Sequence, residues 1–189
     1  MKQLVLFLEE ASAKAALEGL LPRLLQEEVN VRYVVFEGKS DLKRQIVKRL
    51  RGWIYPETAF IVLRDQDSGD CREIKRKLVG KCAVAGKHSA TVRIACRELE
   101  SWYFGELEAV GKALKVDKLS KFSRNSKYRN PDKIVKPSVE LAKITNKKYH
   151  KISGSREIGK YLSIELEKNT SVSYNHFING LNKALAGLS

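Results

Sequence analysis

The sequence is poor in the residues that most often build disulfide frameworks and zinc sites. Its 189 residues include only three cysteines and three histidines. The histidines are scattered without ligand spacing, and the cysteines, odd in number and without a Cys-x-x-Cys pair, are Cys71, Cys82 and Cys96. These absences argue against a disulfide-stabilised fold and a structural zinc, and they favour a reducing compartment. We therefore expect a cytoplasmic protein.

Long apolar runs and glycine-rich loops are also missing. No stretch approaches the roughly 18 consecutive apolar residues of a membrane-spanning helix, so we expect no membrane association. The apolar run at 4–8 is ended by Glu9 and Glu10 with no cleavage pattern after it, which favours a buried strand over a signal peptide. The absence of a phosphate-cradling glycine loop disfavours a phosphotransferase or a phosphatase.

Positive charge, by contrast, is in excess. The chain has 36 basic and 22 acidic residues, a formal net charge of +14. Phosphate contacts with Lys and Arg release counterions, so a chain this basic is biased toward nucleic-acid partners. A basic protein without such a partner is the alternative. DNA is favoured over RNA as the partner, although composition does not separate the two.

Short apolar runs alternate with helical patterns over the first 105 residues. The pattern predicts strands at 4–8, 31–36, 59–63 and 91–96 and helices at 12–27, 41–51 and 71–79. Pro22 is expected to kink the first helix. This alternation predicts an α/β core over 1–105, with a mostly parallel four-stranded sheet flanked by helices on both faces.

The remaining residues, 106–189, are predicted to form a mostly helical extension packed on the same domain. The extension is expected to contain helices at 106–114, 132–144, 155–167 and 174–185, and a further helix is expected at 98–104, at the end of the core. An exposed edge strand or these late helices can support a homodimer.

Residues 115–130 form a polar, basic segment that predicts a long mobile loop. Its candidates for nucleic-acid binding are Lys121, Arg124, Lys127 and Arg129. Phe122 and Tyr128 either anchor this loop or stack on bases, and anchoring is slightly favoured.

Pairs of closely spaced acidic residues follow three of the four predicted strands. They are Glu9 and Glu10 after the first, Asp65 and Asp67 after the third, and Glu98 and Glu100 after the fourth. Parallel strands bring their carboxyl ends to one edge of the sheet, where ligands of α/β proteins bind. Several carboxylates there are electrostatically costly without a cation. Mg²⁺ or Mn²⁺, which prefer oxygen ligands, are therefore the expected cofactors.

Such an arrangement suits phosphodiester hydrolysis. Two metals about 4 Å apart can clamp the attacking and leaving oxygens. The nearby basic residues Lys39, Arg64 and Arg97 can hold the nucleic-acid chain. Two simpler interpretations stay open. The Asp65 segment can be a solvated turn, and the glutamates can complement helix dipoles.

These residues also resemble a known family. An acidic residue after strand one and Asp65-Gln66-Asp67 after strand three resemble the Toprim domain of topoisomerases, bacterial primases and overcoming-lysogenization-defect nucleases. A closer likeness is to small stand-alone Toprim-like proteins, and it lies in segments 7–12, 17–25, 38–42, 63–68 and 93–102. It covers most of the chain and is strongest over 4–105.

The resemblance implies a metal-dependent nuclease. It places Glu9 as a metal ligand or general acid/base and Asp65 and Asp67 as metal ligands. Glu98 and Glu100 fall near acids that hold a second metal in the related nucleases, with Glu10 as an additional ligand. Those nucleases also use a late lysine, for which Lys151 is the candidate.

Two departures bear on this implication. Glu10 stands where the Toprim signature usually has glycine, which either adds a ligand or indicates a site that has diverged. The related large nucleases carry a fused ATPase, so an ATPase acting in trans is an expected partner. The alternatives are accordingly a silent nucleic-acid- or partner-binding module and a subunit activated by a separate ATPase.

Overall fold

The central sheet is four-stranded and entirely parallel, as the computed structural model shows for the described residues, 2–25 and 28–188. The strands lie in the order β2-β1-β3-β4. Their bounds are β1 Lys2–Leu8, β2 Val29–Val35, β3 Thr58–Asp65 and β4 Thr91–Ala95. The predicted α/β class is confirmed.

Eight α-helices flank this sheet in the described part of the chain. They are α1 Ala11–Leu20, α2 Lys39–Arg51, α3 Cys71–Val84, α4 Ser101–Phe104, α5 Leu107–Leu114, α6 Pro137–Ile144, α7 Lys151–Gly159 and α8 Val172–Ala186. None of the described helices is long and apolar enough to cross a membrane.

The sheet is buried on both faces, which explains its continuous apolar strands. Leu4, Leu6 and Leu8 point to the face covered by α1 and the later helices, whereas Val5 and Phe7 point to the face covered by α2 and α3. All five side chains are fully buried. Because β1 is central, the acids that follow it are brought to the middle of the sheet edge.

The first helix ends earlier than its apolar pattern predicts. α1 stops at Leu20, and Leu21–Arg23 form a 3₁₀ turn with Pro22 at its start. Proline lacks the N–H that would continue the α-helical ladder, so the helix ends and does not merely kink. The predicted end at 27 lies outside the described residues.

The C-terminal helices return to the N-terminal half, where α7 packs closely on α1. A Cβ at Gly159 would collide with the Ala16 carbonyl oxygen, and one at Gly19 would lie 2.5 Å from the Arg156 carbonyl oxygen. The absence of side chains at both glycines permits this approach. The helix predicted at 155–167 has different bounds in the structure, where it begins at Lys151 and ends at Gly159.

The basic segment is more structured than its composition predicts. Residues Leu119–Arg124 form a 3₁₀ helix, and Leu119 is buried. Tyr128 is also buried, stacks on Phe104 with ring centroids 4.9 Å apart, and donates a hydrogen bond to Glu140. Tyr128 therefore anchors this segment to the core, and its ring is not free to stack on a base.

Candidate functional site

The predicted acids lie at the carboxyl ends of the strands, where the hydrogen-bond ladder of the sheet continues into the loops. Gln66 donates its N–H to the Ala95 carbonyl at 2.9 Å, and Asp67 donates to the Arg97 carbonyl at 2.7 Å. Asp67 and Arg97 both adopt left-handed backbone conformations, with φ of 56° and 63°. The two loops thus hold each other, and the backbone around Asp67 is fixed before any ligand binds.

Asp65 lies at the centre of the acidic group. It is the last residue of β3 and only 9% exposed. Burial raises the pKa of Asp65 well above its usual range, and the nearby charges of three other acids add to the effect, in the order Glu100, Glu10 and Glu9. We call these four residues the carboxylate cluster. Their mutual repulsion favours the binding of a proton or a cation.

Glu9 follows β1 and faces its neighbour on β3. Its Oε2 accepts a 3.2 Å hydrogen bond from the Asp65 N–H and lies 3.5 Å from Arg64 Nε. Burial raises the pKa of Glu9, and the charge of Arg64 only partly offsets that rise. Glu9 is therefore a half-buried carboxylate directed at the same edge as Asp65.

Glu100 is fully buried at the N-terminus of the short helix α4. Its Oε1 accepts a 2.8 Å hydrogen bond from the Tyr149 hydroxyl, and its Oε2 has no hydrogen-bond partner among the described residues. Burial is the main cause of its raised pKa. A buried carboxylate oxygen without a partner is unfavourable, and a bound cation would satisfy it.

Two lysines bind acids at the rim of the site. Lys39 Nζ lies 2.8 Å from Asp67 Oδ2, and Lys151 Nζ lies 2.8 Å from Glu10 Oε2. Burial on its own would lower the pKa of Lys151, but its hydrogen bond and ion pair with Glu10 outweigh burial and raise it. Glu10 is the N-cap residue of α1 yet makes no side-chain cap, so its carboxylate serves Lys151 instead.

Glu98 has a structural partner, although its charge also contributes to the raised pKa of Glu100. Its Oε2 accepts a 2.8 Å hydrogen bond from the Ser138 N–H in the first turn of α6. Arg97, beside it, joins the neighbouring loop through its backbone, donating its N–H to Gln66 Oε1 at 3.2 Å. One oxygen of Glu98 therefore already satisfies a helix N-terminus.

The basic residues predicted from the 115–130 segment are placed on its exposed surface. Lys127 pairs with Glu140, and Lys121 lies over the Phe122 ring at 5.5 Å from its centroid. Neither these two nor Arg124 and Arg129 form a hydrogen bond to the carboxylate cluster within the described ranges.

The chemistry of the donor set fits Mg²⁺ or Mn²⁺, because carboxylate oxygens are the ligands these ions prefer. In residues 2–25 and 28–188, however, no three Asp, Glu, His or Cys side chains converge as a ready metal site. Three of the acids are paired with basic residues instead: Arg64, Lys151 and Lys39 lie against Glu9, Glu10 and Asp67, respectively.

Sequence reasoning missed the residues that support Glu100, Tyr149 just before α7 and Ser155 within it. Tyr149 contacts Glu100 across 49 positions, and its hydroxyl also lies 3.1 Å from Ser155 Oγ. No local spacing or motif indicates such a contact, because it depends on where α7 packs.

Comparison with known proteins identifies a family for this chain. Residues 8–182 match the family described as a domain of unknown function (DUF4276). No curated protein and no solved structure matches the chain.

Proposed function

Because this chain belongs to the DUF4276 family, whose description states no activity, we propose its function from its own side chains. We infer a Toprim-like nuclease, dependent on Mg²⁺ or Mn²⁺, that hydrolyses nucleic-acid phosphodiesters, with DNA favoured over RNA. The observation that carries the proposal is the burial of Asp65 among three further carboxylates at the carboxyl edge of a parallel sheet. The net charge of +14 supports a polyanionic substrate.

The side chains divide the work by position. Glu9 and Asp65 would hold the metal, and Glu10, Asp67 and Glu100 can complete its oxygen ligands. When bound, the metal lowers the pKa of a water molecule and polarises the phosphate. Lys151, with its charge held at the rim, would contact a phosphate oxygen and stabilise the charge that develops there.

The same acids also support a second candidate, a subunit that a separate ATPase activates. Its specific support is that Lys39 and Lys151 already bind Asp67 and Glu10. A partner that separates these pairs would assemble the metal site. The three cysteines are free thiols, which supports a cytoplasmic setting for either candidate.

The test is Mn²⁺ binding by calorimetry, with plasmid cleavage followed in the same samples. The variant is Asp65→Asn/Asp67→Asn, and Asp117→Asn is the control because Asp117 is an exposed aspartate outside the cluster. We expect binding and cleavage in the wild type and the control and neither in the double variant. Wild-type binding without cleavage would favour the ATPase-activated subunit, whereas no binding would overturn the metal site.

A further inference from the structure

A basic cleft lies between α2 and α3, beside the carboxylate cluster. Its volume is about 290 Å³, and five of its eight lining residues are basic and none is acidic. The basic residues are Lys39, Lys43, Arg64, Lys77 and Lys81. We call this cleft the α2–α3 groove. Three of its basic residues, Lys43, Lys77 and Lys81, lie outside every site described above.

The helical repeat creates the groove. Lys39 and Lys43 are four residues apart on α2, as are Lys77 and Lys81 on α3, so each pair lies on one face of its helix. The two lysines of each pair are roughly 6 Å apart along the helix axis. Leu78 is buried between the helices and fixes the floor. The result is two rows of positive charge facing one cleft.

These charges are only partly neutralised by the protein. Lys77 pairs with Glu73 at 2.6 Å, outside the cleft lining. Lys43 and Lys81 form no ion pair with any described residue. Like charges in a single cleft repel each other, and a polyanion entering it relieves that repulsion while releasing counterions.

The groove is continuous with the candidate site. Lys39, at its inner end, contacts Asp67, and Arg64 contacts Glu9. Consider a chain of phosphates with one phosphate at the carboxylate cluster. Its next phosphates would contact Lys39 and Arg64, and those beyond would contact the other lysines of α2 and α3. If a metal takes the carboxylates, Lys39 and Arg64 become available to the phosphates.

We propose that the α2–α3 groove binds the phosphate backbone of a nucleic acid and leads it to the carboxylate cluster. The identification of the ligand as nucleic acid is based on the proposed function. The non-basic lining residues are Ser40, Ile74 and Leu78, so no aromatic ring is present to stack on bases. Contact is therefore with phosphates and independent of sequence.

The experiment measures binding alone, in EDTA, by fluorescence anisotropy of a labelled DNA duplex and of one of its strands. The groove variant is Lys43→Gln/Lys81→Gln. The control, Lys48→Gln/Lys75→Gln, removes two charges from the same helices at exposed positions outside the groove. Circular dichroism checks that both variants fold.

We expect the groove variant to bind roughly tenfold more weakly at about 100 mM salt and to lower the salt-dependence slope by about two. The control should stay within about twofold of the wild type. Equal losses in both variants would overturn the groove, as would equally strong competition from poly-glutamate. Binding through the groove without any cleavage in Mn²⁺ would overturn only the nuclease proposal, so the two failures are distinguishable.

Discussion

Tyr149 donates a 2.8 Å hydrogen bond to Glu100, and both side chains are buried. The same hydroxyl lies 3.1 Å from Ser155 Oγ, which in turn donates to the Lys151 carbonyl at 2.5 Å. This chain of contacts ties the first turn of α7 to Glu100, the buried acid at the start of α4. The position of Lys151 thus depends on Glu100 through two intervening side chains.

Loss of the Tyr149 hydroxyl should be costly, because buried Glu100 loses the side-chain hydrogen bond to its Oε1. We expect Tyr149→Phe to lower the free energy of unfolding by about 2 kcal/mol in urea denaturation. Tyr161→Phe is the control, since Tyr161 is 47% exposed and should change little. Equal stability of the two variants would show that the Tyr149 contact contributes nothing.

Lys151 should be needed for cleavage but not for metal binding. We expect Lys151→Gln to reduce cleavage on the order of a hundredfold, because a charge near the reacting phosphate is lost. Mn²⁺ binding should be retained or tighter, since Glu10 is then free of its ion pair. Lys160→Gln, which removes a lysine paired with Glu157 instead, should cleave normally. Unchanged cleavage by Lys151→Gln would reduce Lys151 to a partner of Glu10.

Glu98 and Glu100, two positions apart, should behave differently. Glu98→Ala removes the acceptor for the Ser138 N–H, so we expect a loss of about 1 kcal/mol in stability and unchanged Mn²⁺ affinity. Glu100→Gln should instead weaken Mn²⁺ binding by roughly tenfold or more. Calorimetry and urea denaturation of both variants would check this, and weaker metal binding in Glu98→Ala would restore Glu98 as a ligand.

Glu140 should make stability depend on acid pH. It accepts hydrogen bonds from Lys127, Lys143 and Tyr128. With Lys127 the largest contributor, these bonds lower the pKa of Glu140 from 4.5 to about 2. A lowered folded-state pKa stabilises the protein above the unfolded value, and that stabilisation is lost as pH falls from about 4.5 to about 2.

We therefore expect Glu140→Gln to cost about 1–2 kcal/mol at pH 7, because a neutral amide replaces the carboxylate that accepts these three hydrogen bonds. Solvent screening of the exposed lysines limits the cost. The difference from wild type should shrink on acidification through that window. Glu108→Gln, which breaks an exposed pair with Lys112, should leave thermal unfolding unchanged. A cost for Glu140→Gln that is constant from pH 7 to pH 2 would contradict the linkage.

The sheet and the acids that follow its strands could be predicted because both depend on local pattern. An apolar run such as Leu4–Leu8 has to be buried, and Glu9 directly after it has to lie at the strand end. Pro22 likewise indicated an interruption of the first helix. The sequence predicted a kink there, whereas the helix α1 ends. Lys151 was found only through resemblance to a family, since nothing in its local sequence separates it from other lysines.

The remaining features depend on how distant elements pack. Glu98 and Glu100 have equivalent positions after β4, and only the location of α6 gives Glu98 to Ser138 while α7 brings Tyr149 to Glu100. The α2–α3 groove likewise arises from lysines on two helices that are separated in sequence. Such contacts join residues across loops whose course the sequence pattern does not determine.

Lys151 and Glu10 lie 141 positions apart, and this separation has a consequence for biosynthesis. The ribosome delivers the acids of β1 and β3 long before α7 emerges. A nascent or truncated chain that ends before α7 carries these carboxylates without their lysine and without the helix that covers α1. The site is therefore complete only after α7 has been synthesised, and chains that lack α7 are expected to be inert.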